Sequence, residues 1–122
     1  MRLDIGFKSK KESVWFNDAT RVVDIMKRMN RKHIYCEMIY SPLSYQRKRD
    51  MAKEDAKDDY DYYILLMSQY YNVARCNVRT HISAYNLVKA ICDTTNIDFK
   101  WMVYDDCGYK LSGNRDNIDI LI

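Results

Sequence analysis

Residues 1–8, Met-Arg-Leu-Asp-Ile-Gly-Phe-Lys, decide how the rest of the chain is interpreted, because apolar and polar side chains alternate along them. Leu3, Ile5 and Phe7 fall on one side of an extended chain, and the residues between them fall on the other. This period of two predicts a β-strand with one face against a core. A second apolar run, Val-Trp-Phe at 14–16, follows a charged interruption, so the two runs together predict an N-terminal β-hairpin.

Two helices and a strand follow from similar patterns. Asn17 or Asp18 can cap a helix that begins near Ala19 and ends near Asn30, and alternation over residues 34–40 predicts a strand. Thr80 can cap a later helix that ends between residues 94 and 96. The residues expected to face the core from this later helix are Ile82, Tyr85, Val88, Ile91 and Cys92.

The C-terminal third returns to the strand pattern. Alternation over residues 97–103 and 118–122 predicts two strands. Cys107-Gly108 and Ser112-Gly113-Asn114 have the composition of turns.

Residues 43–76 have helical spacing throughout. Ser41 is suited to the N-cap and Pro42 to the first helical position, and small or aromatic residues recur at intervals of three and four up to Ala74. One straight helix of this length, roughly 50 Å, would exceed the diameter of a small domain. A break is therefore expected near Asp58-Asp59, although one helix and two remain alternatives; a protruding helix would favour a homodimer, since its apolar stripe needs cover.

Taken together, these elements predict a single α+β domain over residues 1–122. Its small, mostly antiparallel sheet of about five strands is packed by three or four helices, in the order ββαβα(α)αββ. An apolar share of 48% and a charged share of 30% argue against wholesale disorder. No long apolar run indicates a signal peptide or membrane span, so a cytoplasmic protein with reduced cysteines is expected.

Residues suited to catalysis are few. There are two histidines, His33 and His81, and the glycines are isolated, so no phosphate-binding loop is predicted. Cys76, His81 and Cys92 are the only set suggesting a metal site or a Cys–His pair, and their spacing is too loose to specify either. The sequence therefore predicts no catalytic residue, no metal and no cofactor.

Charge is distributed unevenly along the chain. Residues 1–53 contain 13 Lys or Arg against 6 Asp or Glu, a balance of +7, whereas residues 54–122 contain 7 against 11, a balance of −4. A basic half can meet phosphates, and an acidic half beside many tyrosines can meet a basic protein surface.

The leading hypothesis is a non-enzymatic binding protein that occupies a site on another macromolecule. Its style would be that of an anti-CRISPR protein: a phage or mobile-element inhibitor of host nucleic-acid-processing or defence machinery. The expected contacts to a protein partner are Asp55, Asp58, Asp59, Tyr60, Asp61 and Tyr62.

The alternative hypothesis is a DNA- or RNA-binding module or small regulator that uses the basic half. Its expected contacts are Lys8, Lys10, Lys11, Arg47, Lys48 and Arg49.

Overall fold

The computed structural model describes residues 1–8, 12–29, 36–39, 50, 53–54, 71–108 and 110–122. Five strands, two α-helices and one 3₁₀ helix lie in this part of the chain, together with helical residues at 50 and 53–54. In chain order they are β1 (Arg2–Lys8), α1 (Glu12–Met29), β2 (Cys36–Ile39), β3 (Tyr71–Asn77), α2 (His81–Thr94), β4 (Lys100–Tyr104), β5 (Lys110–Asn114) and the 3₁₀ helix (Ile118–Leu121).

The strands form one antiparallel sheet in the order β2-β3-β1-β4-β5. Strand β1 is central: Asp4 lies opposite Arg75 of β3 on one side and opposite Met102 of β4 on the other. Strands β1 to β4 have the strand arrangement of the ferredoxin-like fold, with helical residues at 50 and 53–54 between β2 and β3, and β5 extends the sheet at one edge.

The main core lies between the helices and one face of this sheet, which we call the inner face. Alternation along β1 places Leu3, Ile5 and Phe7 there, and all three are buried. Trp101 and Val103 of β4 join them. The helical residues of this core are Ala19, Val22, Val23, Ile25 and Met26 of α1 and Ala84, Leu87, Val88 and Ile91 of α2.

Helix α2 is capped by side-chain hydrogen bonds at both ends. The Thr80 hydroxyl accepts a hydrogen bond from the Ser83 amide at 3.0 Å, which confirms Thr80 as the predicted N-cap. At the other end, the Arg115 guanidinium donates to the carbonyls of Cys92, Thr95 and Ile97 at 2.9, 3.0 and 2.9 Å. A cation at a helix C-terminus also complements the helix dipole.

The α+β class with an antiparallel sheet is confirmed, but the predicted elements do not match the observed ones in number and order. The predicted hairpin is wrong because residues 14–16 lie in α1, and β1 pairs with β3 and β4 instead. Trp15 stands at helical spacing from Ala19, Val22 and Met26, so the apolar run continues the helical pattern. Helix α1 therefore starts at Glu12 rather than near Ala19.

The predicted helix over 43–76 is also wrong at its C-terminal end, where residues 71–77 form β3. Asp50, Lys53 and Glu54 are helical, whereas the expected break at Asp58-Asp59 lies outside the described residues. Val73 and Ala74 are both fully buried on opposite faces of the sheet. A strand buried on both faces lacks the simple alternation that identifies one in sequence.

Two C-terminal predictions are corrected as well. Ser112-Gly113-Asn114 belongs to β5 rather than to a turn, and a side chain on Gly113 would collide with Trp101 and Asn117. Residues 118–121 form the 3₁₀ helix rather than a strand, with Leu121 buried and Ile120 exposed.

Three other sequence predictions can be compared directly. The turn at Gly108 is confirmed, with a φ of +83° that suits glycine, and β2 lies within the predicted strand at 34–40. Ile82, expected in the core, is 60% exposed.

We expect stability to fall in alkaline solution because of Cys76. Burial, with smaller contributions from Cys36 and Asp4, raises the pKa of the Cys76 thiol from 9.0 to about 12. The unfolded chain loses this proton near pH 9 while the folded chain keeps it, so stability present below pH 9 is lost as pH rises toward 12. Denaturant unfolding between pH 7 and 11 measures the decline.

The matched comparison is Cys76→Ala against Cys107→Ala, because Cys107 is exposed. Cys76→Ala should flatten the alkaline decline, leaving the part due to Cys36, Cys92 and Tyr104, whose pKa values burial also raises. An alkaline decline equally steep in both variants would contradict this assignment.

Candidate functional site

The face of the sheet opposite the helices, which we call the outer face, is the candidate site. Residues alternate along each strand, so register places the side chains between the core residues on this face. They include Arg2 and Asp4 of β1, Arg75 and Asn77 of β3, Lys100, Met102 and Tyr104 of β4, and Lys110 and Ser112 of β5.

A buried ion pair occupies the centre of the outer face. The Asp4 side chain is 0% exposed. Arg75 donates two hydrogen bonds to it, from Nε to Oδ1 at 2.8 Å and from Nη2 to Oδ2 at 3.2 Å. Arg2, two residues earlier in β1, is a second partner, with its Nε 3.4 Å from the same Oδ1. A carboxylate removed from water is costly unless it is paired in this way, so these arginines are needed to keep Asp4 in the sheet.

Arg2 also packs against an aromatic ring. Its guanidinium carbon lies 4.0 Å from the centroid of the Tyr104 ring, and the Lys110 ammonium lies 5.9 Å from the same centroid. Both distances are within the range of a cation–π contact. Burial, followed by the charge of Asp4, raises the pKa of the Tyr104 hydroxyl, while the hydrogen-bonding contact with Arg2 and the charges of Arg2 and Arg75 oppose the rise.

The Arg2 Nε makes no hydrogen bond of good geometry among the described residues, but it lies 3.4 Å from the Asp4 carboxylate and is ion-paired with it.

An open pocket of about 310 Å³ lies beside the stack, at the end of the sheet. It is lined by Met1, Arg2, Asn77, Tyr104, Asp105 and Asp106. The Asp105 carboxylate accepts a hydrogen bond from the Cys107 amide at 2.9 Å, which holds the turn after β4. The Asp106 side chain is 88% exposed, and its Oδ1 accepts a hydrogen bond from the Met1 ammonium at 3.3 Å.

The outer face is cationic. The register places five basic residues on it, Arg2, Lys8, Arg75, Lys100 and Lys110, against two acidic residues, Asp4 and Glu37, which is a formal excess of three positive charges. The Arg75 guanidinium is hydrogen-bonded to the Asp4 carboxylate. We call Arg2, Lys100, Tyr104 and Lys110 the cationic margin, because they lie toward the β4–β5 side and are partly exposed.

The predicted site residues fall mostly outside the described part of the chain. This holds for all six expected contacts to a protein partner and, of the expected nucleic-acid contacts, for all but Lys8. Lys8 ends β1, opposite Tyr71. Neither set is tested by this geometry.

The set of Cys76, His81 and Cys92 does not form one site. His81 begins α2 and Cys92 lies near its end, so roughly 16 Å of helix separates them at 1.5 Å per residue. Within the described residues, no group of three potential metal ligands comes together.

Sequence reasoning missed Arg2, Arg75, Tyr104 and Lys110 as a group. Alternation in β1 could have placed Arg2 and Asp4 on one face, and alternation in β4 could have done the same for Tyr104. Their proximity depends on pairing β1 with β3 and β4, residues about 70 to 100 positions away, which no local pattern encodes.

No protein-family model, curated protein or solved structure matches this chain. Neither α-helix in the described ranges has the length and apolar character needed to cross a bilayer.

Asp4→Asn should destabilise the protein by about 3 kcal/mol or more, because it leaves the Arg75 guanidinium desolvated without its carboxylate. Asp106→Asn, an isosteric change at an exposed carboxylate, is the control and should change stability little. Combining Asp4→Leu with Arg75→Met should recover much of the loss, since neither member of the pair is then left alone. Urea unfolding measures all three, and equal midpoints for Asp4→Asn and Asp106→Asn would contradict the assigned role of the pair.

Proposed function

We propose that this chain is a non-enzymatic binding protein that holds single-stranded nucleic acid against the cationic margin. The observation that carries the proposal is the stack of Arg2 on Tyr104 at 4.0 Å, with Lys110 beside the same ring at 5.9 Å. Cations at an aromatic ring on a sheet offer charge for a phosphate and a flat surface for a base.

Charge supports a polyanionic ligand. The lysines of the cationic margin, Lys100 and Lys110, flank Met102 on the outer face, roughly 13 Å apart at the rise of a β-strand. A phosphate backbone is therefore attracted to the β4–β5 side of the sheet.

The fold is compatible with this location. In RNA-recognition modules a four-stranded sheet stacks bases on aromatic side chains, which is an analogy of fold only. Here the centre of the outer face is buried and inaccessible to a base, since Asp4, Val73 and Met102 are at most 1% exposed. The contact is accordingly assigned to the margin rather than to the central strands.

The sequence predicted a binding protein, with nucleic acid as the alternative ligand. The proposal adopts that alternative, but it assigns the contacts to residues other than those expected from the sequence. The inhibitor hypothesis, with its phage or mobile-element origin and acidic-tyrosine contacts, stays a prediction because its residues lie outside the described part.

Fluorescence anisotropy with a labelled oligouridylate, at about 50 and 200 mM salt, tests the proposal. Affinity should fall as salt rises. Replacing Lys100 and Lys110 with Ala should reduce the magnitude of the logarithmic salt slope by about 1.4, or 0.7 for each lost phosphate contact on a single strand.

The matched control replaces Lys27 and Lys89 with Ala, an equal charge change on exposed helical positions. Its salt slope should stay at the wild-type value. Equal losses in both double variants would show attraction by net charge alone, and absence of binding at either salt would reject the proposal and favour a protein partner.

A further inference from the structure

Two cysteines lie side by side in neighbouring strands of the sheet. The register of β2 on β3 places Cys36 directly opposite Cys76, and Cys76 is in turn opposite Leu3 of β1, which is buried on the inner face. Both thiols therefore belong to the inner face, where Cys76 is part of the core and Cys36 packs against it. Their proximity is also electrostatic, since a charge on Cys36 contributes to the raised pKa of Cys76.

The spacing of directly opposite residues suits a disulfide. Such residues in an antiparallel pair have Cα atoms about 4.5–5.5 Å apart, and disulfides join Cα atoms about 4.4–6.8 Å apart. Their Cβ atoms, about 4.5–5.5 Å apart, must approach to about 3.5–4.5 Å. In the described sheet β2 is an edge strand of four residues that pairs with β3 alone, so this small approach disturbs no second neighbour.

The two thiols differ in access to solvent. Both are free in the structure, but Cys36 is partly exposed and Cys76 is fully buried. Burial raises the pKa of each thiol, to about 12 for Cys76, whereas the charge of Lys27 opposes the rise at Cys36. The thiolate is the form that attacks a disulfide. Cys36 is therefore the thiol that reacts first with an oxidant from solution.

We infer that Cys36 and Cys76 are a site of reversible modification, which a low-molecular-weight disulfide, glutathione disulfide, converts into a cross-strand disulfide. The Cys36 thiolate attacks one sulfur of glutathione disulfide, which forms a mixed disulfide and releases one glutathione that takes up the Cys36 proton. Cys76 then attacks the Cys36 sulfur, and its proton goes to the second departing glutathione. The protein has lost two electrons and two protons, and glutathione disulfide has become two thiols. This site does not depend on the proposed nucleic-acid binding.

Intact-mass analysis after incubation of the folded protein with glutathione disulfide tests this inference, with peptide mapping in the absence of reductant. The protein combines Cys92→Ala with Cys107→Ala, so that only the proposed pair can react. It should lose the mass of two hydrogen atoms and yield one cross-linked peptide that contains Cys36 and Cys76. Dithiothreitol should restore both thiols.

The matched control adds Cys76→Ala to the same background. Cys36 should then retain one glutathione, because no second thiol lies opposite it to displace the adduct. On the background protein with both cysteines, a glutathione adduct that persists on Cys36, or two thiols that stay unmodified, would overturn the inference. A link that forms only in urea would overturn it too, since the folded strands would then not be what aligns the two thiols.

Discussion

The fold depends on one buried carboxylate at the centre of its sheet. Asp4 is fully enclosed between β3 and β4, where the two-pronged contact from Arg75 and the approach of Arg2 compensate its loss of hydration. Ion pairs of this kind contribute little net stability but penalise arrangements in which one partner is missing. A β1–β3 register shifted by one residue would separate Asp4 from Arg75, so the pair favours a single alignment.

The same pair connects the fold to the proposed binding surface. Arg2 contacts both Asp4 and the Tyr104 ring, so the charge that neutralises the buried carboxylate also forms the stack at the sheet's end. The inner face is apolar and packs the helices, which leaves the polar residues of β1, β4 and β5 for recognition. The outer face therefore contains both the buried ion pair and the proposed binding surface.

Local patterns identified the elements whose signals are local. The alternation of β1, the Thr80 cap of α2 and the turn at Gly108 are all visible within a few residues. Strand β3 was not identified from the sequence, because it is buried on both faces and follows a segment with helical spacing. The site was missed for a related reason: Arg2, Arg75 and Tyr104 meet only through long-range strand pairing.

The central claim is that the β4–β5 side of the outer face is the ligand surface, and an NMR titration tests it most directly. Amide and side-chain resonances of the ¹⁵N-labelled protein would be followed while an oligouridylate is added at low salt. The account predicts the largest shifts at Arg2, Lys100, Tyr104 and Lys110, with the exposed faces of α1 and α2 unchanged. Shifts concentrated on the helices, with the cationic margin unaffected, would contradict it.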